Sequence, residues 1–346
     1  MDNSCISIVA RIIKNFILIL RTKGIIALIL AIKSYIQIVI YKKFLPSSFI
    51  KKKIFNYKMY LDPKDEGISR TLLLFGKREL DHKIILEKVL KKSMNIFDIG
   101  ANIGYYVLME SELICNKGKI LAIEPVKKNM QLLEKNLKLN NNKITETAIL
   151  AADSKKDVKK QGGSSNFLST SHSNIGRLIS QKIVNTTFAK FKKKIGSKTN
   201  ILVTRTQHIE EIIENNFVPD FIRMDIEGSE ADILYDLASL KLKKNPIICF
   251  ETHTSQYKSY LEKKNLSKME KALKKMFKKG YKVDFVSSSS ERGSNKLEKL
   301  GYEPLYDNIK TDDVTRKIYK NLKEKDAITL ICHQGGLRTI LMVYNK

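Results

Sequence analysis

Short apolar runs alternate with amphipathic stretches along the chain from residue 94 onwards. The runs that we interpret as strands are residues 94–99, 119–124, 144–150, 201–205, 220–224, 247–250, 281–286 and 337–344. Between them, residues 104–114, 127–139 and 266–279 carry apolar positions at helical spacing. Strands that alternate with helices form parallel sheets whose faces those helices cover. The pattern therefore predicts an α/β fold with a doubly wound, mostly parallel sheet.

The N-terminal 45 residues are apolar but are repeatedly interrupted by basic side chains. Residues 24–41 form an apolar run in which Lys33 is the only charge. A spanning helix needs about 20 mostly apolar residues, and a central lysine costs roughly 2.5–3.5 kcal/mol on insertion. A helix pair here has three open arrangements: at a lipid interface with lysines reaching the headgroups, packed on the following domain, or spanning a membrane. We predict that residues 1–53 attach the chain to an anionic membrane surface, on its cytoplasmic face.

A short extension separates these helices from the main domain. Residues 54–61 alternate as a hairpin strand does, and the helical pattern at 68–75 meets Gly76, which is placed to end it. Asp81 is the predicted N-cap of a helix that leads into the first strand of the main domain. The predicted organisation is thus an N-terminal helical appendage (1–45), an extension (46–92) and a main domain (93–346).

The strand at 94–99 leads into a helix through the sequence DIGANIG at 98–104. Gly100 and Gly104 let backbone N–H groups approach a ligand, and the helix N-terminus beyond them offers unpaired donors and positive potential. Dinucleotide-binding loops use G-x-G-x-x-G to seat a pyrophosphate on the helix end. Here Asp98 takes the place of the first glycine, and a carboxylate there repels a diphosphate and attracts a cation. A nicotinamide-dependent oxidoreductase is therefore disfavoured.

A second acid, Glu124, follows at the end of the next strand and is itself followed by Pro125. This is the distance at which an acidic residue of a βαβ unit binds a ribose diol. A ligand with an ammonium group and a ribose but no phosphate is S-adenosylmethionine, which we predict as the cofactor. The predicted cofactor-binding residues are Asp98, Gly100, Ala101, Asn102, Gly104, Glu124, Pro125, Asn129, Ala152 and Asp153.

Three motifs give the chain a resemblance to the FkbM family of S-adenosylmethionine-dependent methyltransferases. They are DIGANIG at 98–104, Glu124-Pro125 with Asn129 and Asn136 following, and DIEGSE at 225–230. The similarity runs from about Asp62 to the C-terminus. It implies a Rossmann-like, class I methyltransferase fold with a seven-stranded sheet. One departure is Thr206-Gln207-His208, where family members usually have Thr-Leu-Asp.

Carboxylates after two later strands indicate the kind of methyl acceptor. Asp225 and Glu227 follow the strand at 220–224, and Glu251 and His253 follow the next one. Enzymes that methylate base amines hold an Asn-Pro-Pro turn at the first of these places, whereas a hydroxyl needs a base to take its proton. We predict O-methylation, with Asp225, Glu227 and Glu251 as catalytic residues. The family resemblance implies a sugar, glycan or glycolipid acceptor.

These acids also have plainer interpretations. Asp225, with Ser229 and Glu230, makes a competent helix start, and His253 is read first as a hydrogen-bonded residue at a strand end. A divalent metal could also be bound by Glu251, His253 and Asp225, although we predict no metal site. The four cysteines form no CxxC pair, which disfavours a zinc or redox site and is typical of small buried thiols in a reducing compartment such as the cytoplasm.

The net charge of +27 predicts an acidic partner, either a membrane surface or a nucleic acid. Compositional bias explains the charge equally well, since lysine, isoleucine and asparagine are all abundant. Two alternatives to the sugar methyltransferase follow: an RNA methyltransferase that uses the basic surface, and a non-catalytic, membrane-associated scaffold. Nucleic acid is the less favoured partner.

Overall fold

The computed structural model describes residues 3–45, 48–153, 164–169, 176–179, 200–252, 260–312 and 314–345. The helices there are α1 (Asn3–Phe44), α2 (Ile68–Phe75), α3 (Leu80–Val89), α4 (Tyr105–Leu113), α5 (Lys127–Leu139), α6 (Ile209–Asn215), α7 (Glu230–Leu237), α8 (Tyr260–Lys279), α9 (Glu291–Lys299) and α10 (Glu324–Ile328), with a π-helical turn at Thr329–Gln334. The strands are β1 (Ile50–Ile54), β2 (Tyr57–Leu61), β3 (Ile96–Ile99), β4 (Ile120–Ile123), β5 (Thr145–Ala148), β6 (Ala151–Asp153), β7 (Ser164–Ser169), β8 (Gly176–Ile179), β9 (Asn200–His208), β10 (Phe221–Met224), β11 (Ile247–Glu251), β12 (Tyr281–Ser288), β13 (Tyr306–Thr311), β14 (Val314–Leu322) and β15 (Leu337–Tyr344).

A nine-stranded sheet, in the order β13-β14-β12-β15-β11-β10-β3-β4-β5, forms the centre of the described structure. The strands β5, β4, β3, β10 and β11 run parallel, and β15 is antiparallel to both of its neighbours. Every residue of β3, β4 and β10 is buried, as expected of parallel strands that helices cover on both faces. The predicted doubly wound α/β fold of the class I methyltransferase type is confirmed.

Successive residues of each inner strand face opposite layers of helices. Ile96 belongs to an apolar cluster that includes residues of α3, α4 and α5, whereas Phe97 belongs to one that includes residues of α6, α7 and α8. This two-residue period decides where polar side chains on the strands lie. Asp98, Arg223 and Glu251 share the face of Ile96, and they therefore point toward α3 and α4.

The sheet is larger than the predicted seven strands because the charged segment after residue 288 contains a hairpin. Strands β13 and β14 pair with each other, and β14 pairs with β12 at that side of the sheet. The predicted strand at 201–205 is part of β9, which lies in a separate small sheet of order β6-β9-β7-β8. The predicted strand at 144–150 ends earlier than predicted, as β5, and two residues separate it from β6.

Of the cysteines, Cys249 and Cys332 are buried as predicted, and Cys115 is exposed.

The extension forms a hairpin and two helices. The predicted strand at 54–61 contains the hairpin turn itself, where Phe55 has a φ of 52°. Gly76 ends α2 in the left-handed conformation, as predicted, with its N–H bonded to the Leu72 carbonyl oxygen at 2.8 Å. The prediction of Asp81 as an N-cap is wrong, because α3 begins one residue earlier. The Asp81 carboxylate instead accepts a hydrogen bond from Arg316 Nη1 at 2.8 Å.

The N-terminal helix α1 is broken at Gly24, which has a φ of 81° and a ψ of 176°. The rings of Phe16 and Tyr35 lie 6.2 Å apart although they stand well to either side of the break, so the two halves fold back on each other. The second half packs on the domain, since it contacts α2 and its buried Ile38 belongs to the same apolar cluster as residues of α2 and α3. Among the described residues, no helix combines the length and the hydropathy that crossing a membrane requires. The membrane-surface role of residues 1–53 stays a prediction.

Candidate active site

The carboxyl ends of four adjacent parallel strands bring the predicted site residues to one edge of the sheet. In the register of β3 and β10, Asp98 lies opposite Arg223, and Cys249 of β11 lies on the other side of Arg223. The backbone N–H of Asp225 donates to the Ile99 carbonyl oxygen at 3.0 Å. The loop after β3, Glu124 after β4, Asp225 after β10 and Glu251 of β11 are thereby neighbours, at the place where ligands bind in open α/β sheets.

Gly100 is required by the close approach of two backbones. Its φ is 89°, and a Cβ built on it would lie 2.2 Å from the Asp225 carbonyl oxygen. The sequence explanation, that this glycine makes room for a ligand, is therefore incomplete, since the apo chain already needs it. Gly104, with a φ of 86°, occupies the N-cap position of α4, where no side chain caps the helix. The N–H groups at that helix end are left for other partners.

We expect Gly100→Ala to destabilise the protein in the absence of any ligand. The left-handed backbone and the clash with the Asp225 carbonyl together cost about 2–5 kcal/mol of the free energy of unfolding. Gly301 is a matched control, because its φ is 85° and a Cβ built on it would meet nothing within 4 Å. Urea denaturation of both variants should show Gly301→Ala losing only about 1–2 kcal/mol. Equal losses in the two variants would contradict the close approach.

The Glu124 carboxylate anchors the loop after β3. Its Oε2 accepts from the backbone N–H of Asn102 at 2.9 Å, and its Oε1 accepts from the N–H of Val126 at 3.0 Å and from Asn129 Nδ2 at 3.2 Å. The side chain is 4% exposed. Burial raises the pKa of Glu124 to about 7, against the effect of these donors, and the charge of Asp98 adds to the rise. The acid thus changes its charge near neutral pH.

Arg223 joins two acids of the site. Its Nη1 donates to Asp98 Oδ1 at 2.8 Å and its Nη2 to Asp225 Oδ2 at 3.3 Å. The guanidinium also stacks on the Tyr106 ring, with Cζ 3.7 Å from the ring centroid. Asp98 and Arg223 are fully buried, whereas the Asp225 side chain is 25% exposed. The buried pair of Asp98 and Arg223 therefore fixes the Asp225 carboxylate, which reaches the open edge of the sheet.

Glu230 fixes the loop between β10 and α7. Its two carboxylate oxygens accept from the backbone N–H groups of Ile226 and Gly228, both at 2.8 Å. Within this loop Glu227 and Gly228 have φ values of 51° and 116°. Of the residues in the alternative helix start, Glu230 binds the loop N–H groups, while Asp225 pairs with Arg223.

A second buried network lies beside Glu251. The Glu251 Oε2 atom is 2.6 Å from Arg338 Nη2, and the same Nη2 lies 2.8 Å from Glu79 Oε1. Glu79 also pairs with Arg78 and accepts from the Tyr106 hydroxyl at 2.5 Å. The catalytic role predicted for Glu251 stays a prediction. Its carboxylate is almost wholly buried, and this favours a role in holding Arg338 at the site.

His82 and Glu110 lie beneath these networks. Burial, and then the charge of Arg223, lowers the pKa of His82 to about 3, so the ring is neutral and bonds to Thr339 Oγ1 at 3.3 Å. Burial, and then the charge of Asp98, raises the pKa of Glu110 well above its usual range. Its two oxygens have no hydrogen-bond partner among the described residues. The neutral His82 ring adds no charge at neutral pH, and the raised pKa of Glu110 favours its protonated form.

The remaining predicted residues are placed as follows. Ala101, Asn102 and Pro125 lie in the loops that follow β3 and β4, and Ala152 and Asp153 lie on β6, which pairs in parallel with β9. His172 and His253 lie outside the described residues. At the departure from the family pattern, His208 is the N-cap of α6: its Nδ1 accepts from the N–H of Glu210 at 3.3 Å, and its Nε2 lies 2.8 Å from Asp236 Oδ2.

Sequence reasoning missed Arg223, Arg338 and Glu79. For Arg223 a signal existed, because residues at i and i+2 of a strand share a face, and Arg223 stands two residues before Asp225. Arg338 and Glu79 are separated by 259 residues, and the sequence carries no local indication of their contact.

The fold and this edge of the sheet define a class I methyltransferase, and a family model agrees. The model for the methyltransferase FkbM domain matches residues 98–283, more than half of the 346-residue chain. The chain belongs to this family. It is a methyltransferase, and S-adenosyl-L-methionine is its methyl donor. No curated protein sequence matches the chain significantly.

Solved structures similar to this chain include three methyltransferases. The methyltransferase FkbM from Methylobacillus flagellatus KT has 14% identity and a TM-score of 0.34, and the match covers 73% of this chain and 54% of that one. A precorrin-6y C5,15-methyltransferase from Geobacter metallireducens GS-15 has 12% identity, a TM-score of 0.35 and coverages of 77% and 86%. A tRNA (uracil-54, C5)-methyltransferase from Pyrococcus abyssi has 9% identity, a TM-score of 0.36 and coverages of 80% and 45%.

The groups at the sheet edge fit S-adenosyl-L-methionine. The N–H groups beyond Gly104 have no side-chain cap and are available as donors, and Glu124 stays the predicted carboxylate for the ribose hydroxyls. The donor carries its methyl group on a sulfonium, which makes that carbon electrophilic. The protein has to align an acceptor atom with this carbon.

The pKa of Glu124 gives a test of its contact with the ribose. If the ionised form accepts both hydroxyl hydrogen bonds, affinity for S-adenosylhomocysteine should fall about tenfold from pH 8 to pH 6, because the carboxyl is protonated below its pKa of about 7. Glu124→Gln should bind at least tenfold more weakly at pH 8 and should lose this pH dependence. Calorimetry at the two pH values measures these affinities. If affinity depends on pH equally in both proteins, Glu124 does not bind the ribose.

Proposed function

We propose that the protein O-methylates a hydroxyl group of a sugar, glycan or glycolipid. One observation carries the proposal: Asp225 is held by a fully buried arginine yet reaches the open edge of the sheet, with Glu227 two residues away in a loop fixed by Glu230. The site thus presents carboxylates where the acceptor enters. An alkyl hydroxyl is too weak an acid to ionise unaided, so it needs such a base.

The proposed division of labour follows from the contacts. Asp225, oriented by Arg223, accepts a hydrogen bond from the acceptor hydroxyl. Asp225 or Glu227 takes its proton as the O–C bond forms and the sulfonium S–C bond of the donor breaks, which releases S-adenosylhomocysteine. Glu251 and Arg338 form the neighbouring wall. The Arg338 side chain is partly exposed and offers a cation to an oxygen-rich or anionic acceptor. A site that presents carboxylates and a positioned arginine can form hydrogen bonds with polyhydroxylated molecules.

The acceptor class is tested by methyl transfer to separated cell fractions. The purified full chain is incubated with S-adenosylmethionine labelled in its methyl group and with glycolipid, glycan or RNA fractions of the host. We expect label in the glycolipid or glycan fraction. Label in RNA would replace the proposal with the RNA methyltransferase that the charge of +27 also allows. Cofactor binding without labelling of any fraction would favour the non-catalytic scaffold.

A further inference from the structure

A cleft of about 610 Å³ lies between the second half of α1, the end of α2 and the tip of the β13–β14 hairpin. Its lining residues are Leu30, Lys33, Ser34, Gln37, Lys52, Leu74, Phe75, Gly76, Lys77, Leu80, Lys310, Thr311 and Asp312. We call it the lysine cleft, because four lysines from four different parts of the chain converge on it. It lies outside the site described above.

The charges of the lysine cleft are unbalanced. Within the described residues, Lys33, Lys52, Lys77 and Lys310 form no ion pair with a carboxylate. The lining acid, Asp312, is engaged elsewhere: its Oδ2 lies 3.4 Å from Arg316 Nη1 and accepts from the N–H of Glu79 at 3.2 Å. An anion in the cleft would neutralise this excess of positive charge.

Lys52 shows that the inner part of the cleft is partly screened from water. Burial lowers the pKa of Lys52, and its ammonium group donates to the Leu73 carbonyl oxygen. The remainder of the lining is largely apolar, with Leu30, Leu74 and Leu80 beside the lysines. A ligand that suits this cleft therefore has an anionic group joined to apolar material.

The same helix exposes a row of large apolar side chains next to the cleft. Ile25, Ile29, Ile32, Ile36 and Val39 recur at helical spacing and are 59%, 58%, 36%, 53% and 46% exposed. We call this row the apolar stripe. Leu30, Lys33 and Gln37, which line the cleft, each follow a stripe residue by one position and so lie about 100° around the helix from it. A continuous apolar surface of this kind marks an interaction site.

We propose that the lysine cleft binds the phosphate group of an anionic membrane lipid while the apolar stripe enters the interfacial layer of the bilayer. A lipid bilayer is the one occupant that satisfies both features, since its phosphate matches the lysines and its acyl region covers the stripe. Free phosphate satisfies the lysines alone, and a second copy of the chain would bring the same unbalanced positive charge. The inference does not depend on the proposed acceptor.

The position of the cleft has a consequence for the active site. Thr311 Oγ1 accepts from the N–H of Leu80 at 3.1 Å, and the adjacent residue Glu79 belongs to the network that holds Arg338 and Glu251. The wall between the cleft and the acceptor side of the site is therefore a few residues thick. A membrane bound at the lysine cleft would hold membrane-borne acceptors near the sheet edge.

The test compares two triple variants of the full chain. Lys33→Glu, Lys77→Glu and Lys310→Glu reverse the charge of exposed cleft lysines, and Lys52 is left intact because it bonds to the backbone. Lys241→Glu, Lys243→Glu and Lys278→Glu make the same change at exposed positions away from the cleft. Unchanged affinity for S-adenosylhomocysteine shows that each variant is folded. Binding is measured by cosedimentation with vesicles of phosphatidylcholine, with and without phosphatidylglycerol.

We expect the unaltered protein to bind the vesicles that contain phosphatidylglycerol, the cleft variant to lose at least tenfold in affinity, and the control variant less than threefold. Equal losses in the two variants would overturn the proposal, because attraction would then be diffuse. So would a failure of the unaltered protein to bind. Calorimetry with dihexanoyl phosphatidylglycerol and with inorganic phosphate separates the sources: we expect saturable binding of the lipid, and phosphate binding as tight as the lipid would contradict a lipid site.

The apolar stripe has its own variant, Ile29→Gln with Ile36→Gln, which keeps good helix-forming residues. It should weaken vesicle binding while leaving the binding of dihexanoyl phosphatidylglycerol unchanged. Light scattering of the lipid-free proteins tests whether a second copy of the chain covers the stripe instead. If the unaltered chain self-associates and this variant abolishes the association without affecting vesicle binding, the stripe joins two copies and the membrane proposal is wrong.

Discussion

Asp225→Asn is expected to lower kcat by at least a hundredfold while changing the affinity for S-adenosylmethionine by less than about threefold. The amide keeps the size of the side chain and can still contact Arg223, but it cannot take a proton, and general-base help is worth about 10²–10⁴-fold. The loss should therefore appear in turnover, measured with the acceptor fraction that takes the label. The expected effect is among the largest that a single substitution in this chain should produce.

A matched control separates this effect from a general loss of an acid. Asp284 has a side chain that is 24% exposed and lies 3.6 Å from Lys320, so it resembles Asp225 in exposure and in having a basic partner. Asp284→Asn should leave turnover unchanged. Glu227→Gln should act on acceptor affinity or on turnover. If Asp225→Asn and Glu227→Gln both retain full turnover, the carboxylates only shape the loop.

Arg223→Met is expected to lower the free energy of unfolding by about 3–5 kcal/mol. Arg223 and Asp98 are both fully buried, and removal of one partner leaves the other charge without compensation. Adding Asp98→Asn removes that charge, and the double variant should recover part of the loss. Chemical denaturation of the two single variants and the double variant measures the coupling. Additive losses would mean that the two side chains do not form a pair.

Arg316 provides the comparison for a functional role of Arg223. It forms a second buried pair, with Asp81 at 2.8 Å, away from the loop that follows β3. Arg316→Met should destabilise the protein to a similar degree and leave cofactor affinity intact in the folded fraction. Arg223→Met should also weaken cofactor binding, since Asp98 and Asp225 flank Gly100. Equal cofactor affinities would assign Arg223 to stability alone.

The sequence predicts the inner parallel strands well because they are short, mostly apolar and carry an acidic residue at or just after their ends. It does not predict β13 and β14, since these strands are at the outer side of the sheet and carry charged residues between their buried positions, so they resemble a polar insert. The strand at 201–205 is visible as an apolar run, but nothing in its pattern shows that it pairs with β6 and β7.

In the site, the motif residues are predictable because they lie at or close to the ends of strands. The side chains that these residues contact are harder to predict. Glu124 is predicted from the sequence as the ribose acid, but its raised pKa comes from burial and from the charge of Asp98, which only the folded chain brings near it. Glu230 is visible as part of a helix start, but only the structure shows that its carboxylate binds the N–H groups of Ile226 and Gly228. The contacts of Arg338 join residues from opposite ends of the chain and have no local sequence signal.

The atom that receives the methyl group decides whether the protein is an O-methyltransferase. After reaction of the full chain with isotopically labelled S-adenosylmethionine, magnetic resonance of the isolated product distinguishes a methyl ether from a methylated nitrogen or carbon. The account predicts a methyl ether on a sugar hydroxyl, formed by the unaltered protein and by Asp284→Asn but not by Asp225→Asn. A methyl group on nitrogen or carbon, or the same ether formed at full rate by Asp225→Asn, would contradict it.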